Sequence, residues 1–134
     1  MQQRQVRVDT ATRQVVDITD QVAALVAETG GDGLVNVFAQ HATCGLALME
    51  TGSGSEADLV AALERILPRD APYRHSHGSR GHGADHLLPV LVSPSLTVPV
   101  RDGRLQLGPW QRVVLVDLNR DNPERQVLLS LLPG

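Results

Sequence analysis

The chain has 134 residues, with 12 arginines and no lysine set against 15 acidic side chains, for a formal charge of −3. Without lysine, Schiff-base catalysis and a Walker-type phosphate lysine are both excluded. The charges are scattered and aromatics make up only 2% of residues, so a nucleic-acid surface of basic face and stacking rings is not expected.

In chain order, Gln3 to Asp9 alternates with Val6 and Val8 on one face, and Arg13 to Ile18 resumes the period. Together they predict two strands around a short turn. Thr19 is placed to cap a helix carrying Val22, Leu25 and Val26, which Gly30 and Gly31 stop. Leu34 to His41 returns to strand, with Val35, Val37 and Ala39 sharing a face with His41, and Cys44 to Met49 predicts the returning strand. Ser55 is placed to cap a second helix whose stripe, Leu59, Ala62, Leu63, Ile66 and Leu67, ends at Pro68. The segment HSHGSRGHGADH over 75–86 has no clear period. A meander follows: strand 96–100, turn 101–104, return 105–108, a long strand 110–118 and a closing strand 125–132. This order predicts one domain over 1–134 of the α+β class. Its expected form is a two-layer sandwich, a mainly antiparallel sheet covered by two helices.

Cys44, the single cysteine, rules out an intrachain disulfide and a cysteine-rich zinc site. No apolar run approaches a membrane span, and the polar start MQQRQVRVDT is unlike a signal peptide. A cytoplasmic protein without a membrane partner is the expectation.

Five histidines dominate the chemistry. Imidazole suits zinc and similar ions, and a catalytic site commonly keeps three protein ligands and one open position. His41 falls at the end of a predicted core strand, and His75 and His86 flank a glycine-containing loop that can fold back toward it. His77 and His82 lie inside that loop as substitutes; the alternative is a mobile surface loop. No helical pair of the H-E-x-x-H kind is expected to reinforce the set. Glu50 ends the apolar run CGLALME, as a general base, as a partner of a histidine, or simply where the strand surfaces. Asp85 beside His86 can orient an imidazole, and Asp58 suits the first turn of the second helix. Cys44 reads as a small buried thiol rather than a nucleophile. Trp110 is the core aromatic by default, or else the wall of a ring pocket. Arg74, Arg80, Arg112 and Arg125 can fork onto phosphate, or remain solvated.

The strings QHATCGLALME, YRH, ADHLL and SLTVPVRDGRLQLGPWQ together resemble the YjbQ-like family, often labelled secondary thiamine-phosphate synthase. The resemblance runs from VVDITDQV to Arg125. It implies a small α+β fold in a homotrimer, with a site around the histidines. It matches His41, His75 and His86 to metal positions, Glu50 and Arg125 to catalytic ones, and Thr43, Trp110 and Gln111 to substrate binding. Ala42, Cys44 and Met49 depart from the family pattern, and TGSGSEAD is one residue short, so Asp58 aligns only across a gap.

The implied reaction joins hydroxymethyl-pyrimidine diphosphate to thiazole phosphate and releases pyrophosphate. That chemistry calls for a divalent ion and arginine against the leaving group. Three imidazoles suit zinc; magnesium, the other candidate, would want a carboxylate-rich site that the sequence does not display. A phosphorylated small molecule is the expected partner. The alternatives are a metal-dependent hydrolase with Glu50 as base, and a non-catalytic trimeric metal- or ligand-binding module.

Overall fold

The structure, a computed structural model, describes residues 1–134. Its first half runs β1 (Gln2–Asp9), β2 (Val15–Asp17), α1 (Thr19–Thr29), β3 (Gly33–Ala39), β4 (Gly45–Met49) and α2 (Ser55–Ile66). Two short helices follow, α3 (His82–Asp85) and α4 (Leu88–Leu91), then β5 (Ser95–Arg101), β6 (Arg104–Leu105), β7 (Arg112–Val116) and β8 (Glu124–Pro133). The fold is α+β, as expected, and every strand pairing is antiparallel. The strands divide between two sheets, ordered β1-β8-β3-β5-β6 and β2-β7-β4.

Alternation explains the larger sheet. Val35, Val37 and Ala39 of β3 point inward beside Val127, Leu129 and Leu131 of β8, and α1 covers them with Val22, Leu25 and Val26. The run RVVLV of β7 does not alternate, because both of its faces are buried. Val113 and Leu115 join this main core, while Val114 and Val116 turn to a second cluster with Leu63 of α2, Leu88 of α4 and Leu118. The smaller sheet is therefore the middle of the molecule.

Several local expectations change in detail. β1 and β2 form no hairpin; the first pairs with β8 and the second with β7. β4 pairs with β7 rather than returning on β3. The cause is the chain at 93–94, whose carbonyls accept hydrogen bonds from the amides of Leu46 (2.8 Å) and Ala39 (2.8 Å) and so hold the two strands apart. Gly45 permits that crossing, since a Cβ there would stand 1.8 Å from the Val92 carbonyl oxygen. Neither helix carries a side-chain cap from the anticipated residue: Thr19 and Ser55 are the first helical residues, after Ile18 and Gly54. Instead Asp17 Oδ1 accepts hydrogen bonds from the Thr19 amide (2.9 Å) and hydroxyl (2.6 Å). The Asp102-Gly103 turn between β5 and β6 has φ of 50° and 70°, the left-handed pair of a tight hairpin.

One ion pair is wholly buried. Arg125 donates from Nε to Asp117 Oδ2 (2.7 Å) and from Nη2 to Oδ1 (2.9 Å), and the Thr10 hydroxyl adds a bond at 2.6 Å. Only 1% of the Arg125 side chain is exposed, and none of Asp117. Arg125 is thus committed to holding β8 against the end of β7. Removing one partner of such a pair leaves an uncompensated charge in the interior. Arg125→Met should lower the unfolding free energy by about 3–5 kcal/mol, and adding Asp117→Leu should recover much of it. Urea denaturation of the two variants checks this; equal losses in both would locate the cost elsewhere.

Candidate functional site

After α2 the chain crosses back over the end of the smaller sheet, and small residues decide how closely it can pack. Gly83 lies in α3, where a Cβ would come 2.4 Å from the His75 carbonyl oxygen and 2.6 Å from Tyr73 Cβ. The backbone of 73–75 therefore lies directly on α3. His82 opens that helical turn and His86 follows it with helical φ and ψ of −72° and −14°. HGADH thus places two imidazoles four residues apart on one face. It is a helical pair of the kind the sequence was not expected to offer.

The result is a meeting of three rings. His82 Nε2 lies 3.0 Å from Nε2 of His75 and 3.1 Å from Nε2 of His86, and one ligand nitrogen from each lies within 4.8 Å of the other two. His77 packs its ring against His75 and His82. The other nitrogen of His82, Nδ1, is 3.0 Å from Asp121 Oδ2. With the Nδ1 proton directed at that carboxylate, the Nε2 lone pair faces the other rings. Partial desolvation lowers the pKa of His75 and of His86, and the neighbouring imidazoles add to the effect. Both therefore favour the neutral, electron-donating form. The hydrogen bond from His82 holds the Asp121 carboxyl below its ordinary value.

Four ligands bound tetrahedrally at 2.0–2.1 Å are spaced about 3.3 Å apart, close to the 3.0 and 3.1 Å that separate His82 Nε2 from the other two rings. Three neutral nitrogens suit zinc; magnesium wants oxygen ligands. Asp85 does not join them. It is 1% exposed and accepts two bonds from Arg69 (2.7 and 3.0 Å) and one from Asn119 Nδ2 (3.0 Å). A cleft of about 300 Å³ beside the rings is lined by Tyr73, His75, Ser76, Ser79, Arg80 and His82 among others. Arg80 is forked onto Asp70 at 2.7 and 2.6 Å. A larger groove of about 500 Å³ lies elsewhere, between β2 and α2, with no such cluster.

The remaining anticipated residues are dispersed. His41, just past β3, is outside the three-ring group: its Nε2 accepts the Gln126 amide at 2.8 Å, next to the buried Arg125. Thr43 is half-buried and Cys44 fully buried, its thiol pushed up to about 11 by burial and hence inert. In the β4–β7 register Gly45 faces Val116 and Met49 faces Arg112. Thr43 and Arg125 therefore belong to one end of the smaller sheet, and Glu50, Trp110 and Gln111 to the other. Five strand residues at about 3.3 Å each put these ends roughly 17 Å apart. Trp110 is 71% exposed in the turn before β7, not a core residue, and Gln111 Oε1 accepts the Gly108 amide at 2.8 Å. Arg112 pairs with Asp17 at 2.7 Å. The sequence offers His82 only as a substitute ligand and does not single out Asp121. The four-residue spacing of HGADH was a usable sign for the first; nothing in the sequence marked the second.

A family model described as UPF0047 protein YjbQ-like matches residues 4–134. The chain belongs to the YjbQ/UPF0047 family. Within it, the UPF0047 protein Rv2556c of Mycobacterium tuberculosis is 61% identical over 127 residues, covering 95% of both chains. The UPF0047 protein YjbQ of Salmonella typhimurium is 30% identical over 117 residues, 86% of this chain and 83% of its own. Among solved structures, a hypothetical protein of Aeropyrum pernix K1 superimposes with a TM-score of 0.89 at 31% identity, over the full length of both chains. A YbjQ-like protein of unknown function from Sulfolobus solfataricus P2 gives 0.91 at 28% identity, over 99% of this chain and 97% of its own. The YjbQ-like fold is therefore common to chains that have diverged widely.

His41 also carries a pH dependence. Burial lowers its pKa below the ordinary 6.5, and the Arg125 charge adds to this. As pH falls, the unfolded chain takes up the proton first, so this contribution to stability is full above about pH 6.5 and is lost as pH drops through the lowered value. His41→Gln should weaken the decline of the urea midpoint between pH 8 and pH 5. An unchanged decline would assign it to other groups.

Proposed function

We propose that this chain is a divalent-metal enzyme acting on a phosphorylated small molecule, with zinc held by His75, His82 and His86. The observation that carries this reading is the approach of three imidazole Nε2 atoms, at 3.0 and 3.1 Å for the two pairs that share His82. With its Nδ1 proton held by Asp121, His82 keeps Nε2 as an acceptor, open to a cation or to an N–H of His75 or His86. His82 takes the place that the family resemblance gives to His41. When bound, the ion supplies Lewis acidity to an oxygen of the substrate at its open position. Asp121 fixes the tautomer of His82, Gly83 admits His75, and the adjoining cleft receives the substrate.

Thiamine-phosphate formation is one reaction of this class, with the exposed face of Trp110 as a platform for the pyrimidine. In one chain Trp110, Gln111 and Glu50 stand far from the imidazoles, so this reading uses a homotrimer in which one copy's Trp110 end meets the histidine end of its neighbour. Metal-dependent hydrolysis is the second reading. Arg69 and Arg80, beside the cleft, are already neutralised by Asp85 and Asp70, which leaves little free positive charge for a departing pyrophosphate. On either reading the protein works in the cytoplasm. No helix is long and apolar enough to cross a membrane.

Elemental analysis of protein purified without an affinity tag should find one zinc per chain. His82→Ala should lose it, His41→Ala should keep it, and Gly83→Ala should bind it more weakly by displacing His75. Thiamine phosphate made from the two precursors, and abolished by His82→Ala, would establish the synthase. Zinc-dependent turnover of a phosphate ester alone would establish the hydrolase, and full zinc occupancy without turnover would leave a binding module. Wild-type protein that takes up no divalent ion would overturn the proposal.

A further inference from the structure

Four imidazoles, not three, crowd this corner of the molecule. His75 and His82 are a stacked central pair, with ring centroids 4.9 Å apart and planes inclined at 23°. His86 flanks that pair at 4.4 and 4.5 Å. His77 also lies 4.4 and 4.5 Å from the same two rings. Yet it is not one of the three residues whose ligand nitrogens converge within 4.8 Å. The fourth ring is adjacent to the meeting point without having joined it.

The backbone explains why His77 stays so near. Gly78 has φ of +84°, and a Cβ there would stand 2.9 Å from His82 Nδ1 and 3.2 Å from Asp121 Oδ2. The absent side chain lets the chain beside His77 press onto the His82–Asp121 pair. The His77 side chain itself is exposed. Exposed side chains exchange rotamers in picoseconds to nanoseconds, so a change in its torsions can bring a nitrogen to the centre.

We propose that His77 is a displaceable fourth ligand of the cation centre, closing it at rest and yielding to an anionic oxygen donor of the phosphate class. This rests on the three-histidine reading above and adds to it the means by which substrate gains access. Structural zinc sites close with four protein ligands, whereas catalytic sites keep one position open. A ligand on an exposed, glycine-flanked segment can serve in both states. His82 and His86 are half-buried on and just after α3, and His75, though exposed, has its backbone seated on Gly83. An incoming anion must compete with the tethered ring, so its apparent affinity is reduced by the fraction of molecules in which the ring is detached.

Cobalt(II) reports its own coordination in the visible spectrum, and inorganic phosphate serves as the probe anion. Untagged wild-type protein and His77→Ala should each load one cobalt per chain. The ligand-field bands of the variant should differ from those of wild type, and it should bind phosphate about ten-fold more tightly. In wild type, added phosphate should shift the bands toward those of the phosphate-bound variant. Matching spectra and phosphate affinities in two fully loaded proteins would overturn the role of His77 and leave the three-histidine centre standing. Loss of cobalt binding in His77→Ala would also overturn it, by making the ring obligatory rather than displaceable. Wild-type protein that binds no cobalt would sink the centre and this inference together. Circular dichroism of the variant verifies that the exposed substitution leaves the fold intact.

Discussion

The carboxylate of Asp85 is the fastening on which the histidine corner depends. It sits at the end of α3, almost wholly excluded from water, and satisfies its oxygens with Arg69 from beyond α2 and Asn119 from beyond β7. Three stretches of chain that share no regular hydrogen-bond ladder are thereby held together. Arg69 extends the bond further, donating to the carbonyls of Arg80 and Leu118. Breaking one partner from a buried, hydrogen-bonded charge pair is far more costly than never having built it. The loop has little freedom to drift while that pair is intact, although its tip at 75–78 remains in water.

Asn119 joins this clamp to the second buried charge. Its amide donates to Asp117 Oδ1 at 3.0 Å, and Asp117 is bound by Arg125 and Thr10. Its side-chain oxygen accepts the Asp121 amide at 3.0 Å, which sets the carboxylate facing His82. One run of residues just past β7 thus serves the interior on one side and the imidazoles on the other. β7 can carry such a load because it is buried on both faces and hydrogen-bonded along both edges, to β2 and to β4.

The same strand also separates the chemistry of the molecule into two ends. Imidazoles and a polar cleft gather where β7 finishes; an exposed tryptophan and Glu50 lie where it starts. A lone copy has no way to shorten that distance, since both groups are fixed by a single antiparallel register. Within one copy the two sets therefore stand at opposite ends of β7, and the Trp110 ring is exposed.

Much of the architecture was legible in the order of residues. Alternation in 33–39 and 125–131 announced β3 and β8, the three-and-four spacing of Val22, Leu25 and Val26 announced α1, and Asp-Gly announced the hairpin between β5 and β6. These signals are local, and each follows from the period of one element. The abundance of imidazole in 75–86 was equally plain. Which rings converge was not, because that depends on close approaches between distant backbones: the 93–94 crossing at Gly45, His75 lying on Gly83, and Asp121 returning to His82. His41 ends a core strand, and tertiary packing sets its Nε2 against the Gln126 amide, apart from the three-ring group. Sequence by itself determined the longer, periodic elements, the class of fold and the kind of donor atoms present. Tertiary structure alone decided the partition into two sheets and the choice of His82 over His41 as the third ring, since only packing sets the distance between groups that the chain order leaves free.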